Sequence, residues 1–330
     1  VLRDVSELKR GHEREVEIRL ARTVQEKLFP AGPPELAAFD LAGAAGPADH
    51  SCGDYYDFVP MEDGRVAIVV GDVSGHGFSA ALLMAETRAY LRSLVGSSTD
   101  LDEILRQLNV FLCDDTEDER FVTLLLAILD PARPSLVFSS AGHIPGYVLG
   151  PAGAPRRVLE STGMPLGIFS DAEFPASPEI PLAEGDLLVM LTDGATEAQS
   201  ESGDFFEAES VLRVVRRERR HGCAHIVREL QRAIEEFTAE SPQRDDITAT
   251  LQAAIADPDV TARIGRLTKA ERWSGFGEFG DSAAVVGTPR TSDRVEPPDR
   301  GAPGRAAKAP PQRDATAERA QREERARAHA

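Results

Sequence analysis

The sequence predicts an α+β fold with largely antiparallel sheets. Two observations carry this. Apolar runs of strand length alternate with glycine- and acid-rich turns, and the helical patterns arrive in pairs between groups of strands. A regular β-α-β alternation, which would mark a parallel doubly wound sheet, is missing. The 330 residues allow one large domain or two modest ones, and a hydrophobic content of 42% suffices for a sizeable core.

Residues 1–30 open the chain. Val16, Leu20, Val24 and Leu28 recur every four residues among Arg, Glu and Gln, an apolar stripe on a charged helix. Pro30, Gly32, Pro33 and Pro34 stop it. A helix this polar gains stability by packing on a partner. It reads as an amphipathic linker following an upstream sensor module, with an ordinary helix lying on its own domain as the alternative. The run Arg3 to Arg10 resembles the exit sequence of PAS sensor domains.

Residues 31–256 carry the fold, from about position 36 onward. Arg65 to Val70 and Phe121 to Leu129 read as buried strands; Leu136 to Phe138, Asp186 to Leu191 and Ile247 to Leu251 are further strands. Helical patterns fill Ser79 to Val95, Leu101 to Phe111, Glu207 to Arg219 and Ala224 to Phe237. Residues 257–330 turn rich in Pro, Ala, Arg and Glu, with few large apolar side chains, a composition that predicts disorder.

A formal net charge of −18 argues against non-specific binding to nucleic acid or to an anionic membrane. No stretch approaches the roughly 18–20 apolar residues of a membrane-spanning helix, and no signal peptide is visible. Cys52, Cys113 and Cys223 are scattered without C-x-x-C spacing. They fit small packing residues in a reducing cytoplasm rather than a disulfide or thiolate-metal framework.

The chemistry is expected where strands end in acids. Val69-Val70-Gly71-Asp72-Val73-Ser74-Gly75-His76-Gly77 takes a buried strand into an acid and a glycine-rich turn, just before a helix. A carboxylate at such a position needs a cation or donors. Leu187 to Leu191 followed by Thr192-Asp193-Gly194 repeats the pattern. Gly53-Asp54-Tyr55-Tyr56-Asp57 places two acids three residues apart, and Arg244-Asp245-Asp246-Ile247 sets paired acids directly before a strand. Within each pair, composition alone does not choose between Asp54 and Asp57 or between Asp245 and Asp246. Any single Asp-Gly is usually only a turn; the repetition is what points to a site. Oxygen ligands without His or Cys suit hard cations, Mg²⁺ or Mn²⁺, and two of them would relieve the repulsion within the cluster. His76 and His143 are candidate acid–base groups, each equally readable as structural.

Gly75-His76-Gly77-Phe78-Ser79-Ala80 also fits a G-x-G-x-x-A dinucleotide fingerprint. The following elements do not give parallel alternation, and no acid ends a second strand about 20 residues on, as that fingerprint requires. A P-loop fails for want of Gly-Lys-Ser/Thr.

Taken together, Gly53 to Asp57, Gly71 to Gly77, Ser140-Ala141-Gly142-His143, Thr192-Asp193-Gly194 and Asp245-Asp246-Ile247-Thr248 resemble, in order and spacing, the metal-dependent (PPM-type) serine/threonine phosphatases. The similar branch is that of the bacterial sporulation stage-II-E and sigma-B-regulator phosphatases, and the likeness covers about 25 to 255. It implies an α-β-β-α sandwich with two metal ions at one end. Asp72 would bridge both ions. Asp54 and the backbone carbonyl of Val73 would complete one site, while Asp193 and Asp245 would hold the other, with Asp246 as a substitute ligand. Cys52, where this branch usually has Gly, and Gln243-Arg244 before the acid pair depart from the pattern without removing a ligand. The resemblance further implies in-line attack of an activated water on a phosphoserine or phosphothreonine. The expected partners are a phosphorylated anti-sigma-factor antagonist, an upstream sensor domain, and a second copy of the chain paired through the N-terminal helix. A catalytically silent phosphatase-like module that binds a partner through that helix is the alternative.

Overall fold

The computed structural model describes residues 27–46, 53–75, 77–115, 120–238 and 247–254. The linker stripe up to Val24, the tail from 257, Cys52, His76, Asp245 and Asp246 lie outside the described residues.

In chain order the elements are β1 (Phe39–Gly46), β2 (Tyr55–Pro60), β3 (Val66–Val73), α1 (Phe78–Ser97), α2 (Leu101–Asp115), β4 (Val122–Asp130) and β5 (Ser135–Ala141). Then follow β6 (Gly146–Leu149), β7 (Pro155–Leu159), β8 (Ile180–Pro181), β9 (Leu187–Leu191), α3 (Asp193–Thr196), α4 (Glu207–Glu218), α5 (Cys223–Thr238) and β10 (Ile247–Ala254). Two five-stranded sheets result, in the orders β1-β10-β9-β6-β7 and β2-β3-β4-β5-β8. Every strand pairing within them is antiparallel, as the strand-and-helix order predicts.

Successive strand residues face opposite ways, and here both faces are covered, so the strands read as unbroken apolar runs. On β3, Ala67, Val69 and Val73 pack with α1 and α2. Val66, Ile68 and Val70 face the other sheet together with Tyr56, Phe58, Leu125, Leu188 and Met190. The outer face of the first sheet, through Val189, Leu191, Ala249 and Leu251, packs on α4 and α5 with Val211, Val215, Ile226 and Leu230. The layers are therefore helix, sheet, sheet, helix. The expected helices match α1, α2, α4 and α5 within a few residues.

Five strands, β1, β2, β6, β7 and β8, are not among those expected from the sequence. β1 is rich in glycine and alanine for a packing reason: the Tyr56 ring lies over Gly43, where a Cβ would fall 2.5 Å from it, and the Tyr56 hydroxyl donates to the Gly43 carbonyl. Phe29 stacks on the same ring at 5.3 Å. Cys113 and Cys223 are buried free thiols. Among the described residues, no helix is long and apolar enough to cross a membrane.

Candidate metal centre

The β2–β3 pairing sets Tyr55 opposite Gly71, so one register step further Asp54 stands across from Asp72. At the next step the Val73 amide donates to the Gly53 carbonyl at 3.3 Å. Asp72 shares the face of Ile68 and Val70, which looks into the space between the sheets. It sits inside β3 rather than beyond its tip, opposite Thr123 of β4.

The end of the other sheet meets this one through Thr192. Leaving β9, Thr192 takes an extended conformation before the short helix α3, whose first residue is Asp193. Its hydroxyl donates to Asp54 Oδ2 at 2.7 Å and accepts from the Thr248 amide at 3.0 Å. Its own amide donates to the Thr248 carbonyl. One buried hydroxyl thus joins β9, the start of β10 and the acid preceding β2. Asp54 is only 2% exposed, whereas Asp72 and Asp193 are half-buried.

Gly53 completes the arrangement. A Cβ there would lie 2.8 Å from the Val73 carbonyl oxygen and 3.0 Å from Asp72 Oδ1. The bare glycine leaves a cradle beside two oxygens, and the assembled donors are oxygens throughout. This set fits a hard divalent cation. Three of the four expected acids, Asp54, Asp72 and Asp193, with the Val73 carbonyl, are thereby gathered at one end of the sandwich.

Asp57 belongs elsewhere. Three residues from Asp54, it points to the opposite face of β2, towards α1. It is fully buried, and its carboxylate accepts from Arg92 Nε and Nη2 at 2.6 and 2.8 Å, from the Tyr55 hydroxyl at 2.9 Å and from the Phe58 amide. Arg88 stands 3.6 Å away. Burial, then the neighbouring Asp57 charge, pushes the Tyr55 hydroxyl well above its ordinary pKa.

His143 is structural. Its Nε2–H donates to the Leu191 carbonyl at 2.9 Å, which leaves Nδ1 to accept from the Thr123 hydroxyl at 2.8 Å. It therefore ties the strand carrying Thr123, the partner of Asp72, to the strand that leads into Asp193. Burial pushes its pKa down to about 4. A neutral imidazole with both nitrogens engaged has no proton to offer near pH 7.

Gly53, Thr192 and the bridging use of His143 carry no individual sequence signal. Thr192 leaves only a hint, a hydroxyl residue between an apolar run and an acid.

Comparison with known proteins gives the family and the fold. The family model described as "Stage II sporulation protein E (SpoIIE)" matches residues 62–252, more than half of the chain. Phosphoserine phosphatase RsbU of Bacillus subtilis is 30% identical over 208 residues, covering 62% of this chain and 61% of that protein. Phosphoserine phosphatase RsbP of the same organism is 28% identical over 149 residues, 44% of this chain and 36% of that one. The chain thus spans less than two thirds of either relative. Among solved structures, the SiaA PP2C domain of Pseudomonas aeruginosa superposes with a TM-score of 0.62 at 22% identity, over 76% of this chain and 99% of that one. The PP2C phosphatase domain of Bacillus subtilis SpoIIE, with a fragment of its regulatory domain, gives 0.57 at 21% identity, over 67% of this chain and 63% of that one. These likenesses show the fold: two antiparallel sheets flanked by helices.

Proposed function

We propose that this chain, which belongs to the stage II sporulation protein E (SpoIIE) family, is a metal-dependent phosphatase that hydrolyses a phosphoserine or phosphothreonine on a signalling protein. The carrying observation is the Gly53 cradle, which opens beside Asp72 Oδ1 and the Val73 carbonyl, next to an Asp54 oriented from the other sheet by Thr192. The similarity to two phosphoserine phosphatases supports the reaction class.

Asp72 would bridge two Mn²⁺ or Mg²⁺ ions, Asp54 and the Val73 carbonyl would complete one site, and Asp193 with Asp245 or Asp246 the other. Such ions, when bound, would supply an activated water and offset the charge of the phosphate. The chain's own part is to hold its acids in place. The Thr192 hydroxyl orients the Asp54 carboxylate. The His143 bridge keeps the two sheet ends in register. With His143 neutral and engaged, the leaving oxygen takes its proton from another group.

Under the same proposal, residues 31–256 are the phosphatase domain, 1–30 a regulatory linker from an upstream sensor that also pairs two copies, and 257–330 lie outside the domain. The substrate is a phosphorylated anti-sigma-factor antagonist in the cytoplasm. The test is Mn²⁺-dependent hydrolysis of p-nitrophenyl phosphate and of candidate phosphorylated antagonists. Asp72→Asn and Asp193→Asn are expected to abolish activity with the fold retained, and full activity in both would sink the proposal. Calorimetric titration with Mn²⁺ separates an enzyme from a silent module, which would bind no metal saturably.

A further inference from the structure

The turn between α4 and α5 carries a second group of metal-ligating side chains, outside the oxygen centre. Glu218 ends α4, His221 lies in the turn, and His225 is on the first turn of α5. Glu218 Oε2 is 3.3 Å from His221 Nδ1 and 3.2 Å from His225 Nε2. One ligand atom from each of the three lies within 4.8 Å of the others. A tetrahedral zinc with bonds of about 2.0–2.1 Å sets its ligand atoms roughly 3.3 Å apart, so the two Glu–His spacings already fit. The histidine rings stand face to tilted face, 4.3 Å between centroids.

The group is framed as a site. Arg217 Nε holds the other carboxylate oxygen, Glu218 Oε1, at 2.6 Å, which leaves Oε2 turned to the histidines. The Glu218 side chain is 14% exposed, against 55% and 36% for His221 and His225. The carboxylate is sheltered while the imidazoles remain open to solvent. Cys223, between the histidines in sequence, takes no part. Its thiol is buried and donates to the Asp40 carbonyl at 3.2 Å, and its amide donates to the Asp40 carboxylate. That contact also locates the turn. Asp40 pairs with Ala253, whereas Gly46 pairs with Ile247 at the end holding Thr192. At about 3.3 Å per strand residue the two ends are some 20 Å apart.

We propose that Glu218, His221 and His225 form a separate binding site for zinc or a similar borderline transition metal, clasping the end of α4 to the start of α5. Two imidazoles and one carboxylate favour zinc over magnesium or manganese, and a solvent water would take the open fourth position. His221 Nδ1 also lies 3.1 Å from the Glu218 carbonyl. Binding metal through this nitrogen requires the neutral tautomer that carries its proton on Nε2. The inference does not depend on the phosphatase reading.

The experiment uses the full chain in saturating Mg²⁺, so that any site for hard cations is filled before zinc is added. Zinc is titrated by calorimetry, bound metal is counted after desalting, and melting is followed with and without zinc. The wild-type chain is expected to retain one zinc and melt at a higher temperature with it. The His221→Ala/His225→Ala variant should lose the retained zinc and the melting shift, and Glu218→Gln should weaken binding roughly tenfold or more. Hydrolysis in Mg²⁺ alone should be unchanged in all three. Circular dichroism verifies folding of the variants, and should the double variant fail to fold, Glu218→Gln alone decides. Equal zinc retention by wild type and variants, or no retention by wild type, overturns the proposal.

Discussion

Replacing Thr192 by valine removes one oxygen and keeps the volume of the side chain. The hydroxyl makes two buried bonds, one given to the Asp54 carboxylate at 2.7 Å and one accepted from the Thr248 amide at 3.0 Å. A hydrogen bond to a charged group contributes about 1.5–3 kcal/mol, and a buried amide left without its acceptor costs about 1–3 kcal/mol. Thr192→Val is therefore expected to destabilise the chain by roughly 3–5 kcal/mol, read as a shift of the urea midpoint without change in slope. Thr192→Ser keeps the oxygen and should recover most of the loss. The effect should be larger in chelator than in saturating Mn²⁺, because a bound cation would supply the compensation for Asp54 that the hydroxyl no longer gives. A change under 1 kcal/mol would refute the hydroxyl's bridging role; an equal loss with and without Mn²⁺ would refute Asp54 as a ligand.

Four other outcomes are expected. Gly53→Ala puts a methyl 2.8 Å from the Val73 carbonyl; calorimetry should show at least tenfold weaker Mn²⁺ binding for a stability cost of about 1–3 kcal/mol. Asp57→Asn should cost roughly 2–3 kcal/mol, below the value for a fully enclosed pair because the Arg92 side chain is 38% exposed; Mn²⁺ affinity should be unchanged, in contrast to Asp54→Asn. For His143, the folded pKa of about 4 lies below the ordinary 6.5, so the folded state binds fewer protons than the unfolded one. Its contribution is complete above pH 6.5 and is lost between 6.5 and 4, about 3 kcal/mol in all. Denaturation across that range should show this acid loss, and it should shrink in His143→Gln. Finally, the Thr250 hydroxyl is buried with no protein partner among the described residues, so Thr250→Val should raise stability by about 1 kcal/mol in thermal melts.

Apolar periodicity along the chain dictates the strand-and-helix order, and with it the fold class. β3 and β4 are buried on both faces and so appear as continuous apolar runs. The amphipathic patterns of α4 and α5 come from one face packed on a sheet. It also marked the acids at the ends of such runs, because a charge after five apolar residues is costly without a partner. Three-dimensional packing settled the rest. Strand parity and the Arg92 pairing turn Asp57 away from Asp54, although the two look alike in sequence. β1 stayed hidden because its small residues make room for the Tyr56 ring, a demand made by a strand of the other sheet. Thr192 and His143 are ordinary polar residues until the two sheets meet, when each bridges strands far apart in the chain. Glu218, His221 and His225 are scattered over eight residues of the sequence; the turn between two helices brings one atom from each together. Local pattern carries what one segment needs from water, and only the meeting of distant segments assigns a side chain its partner.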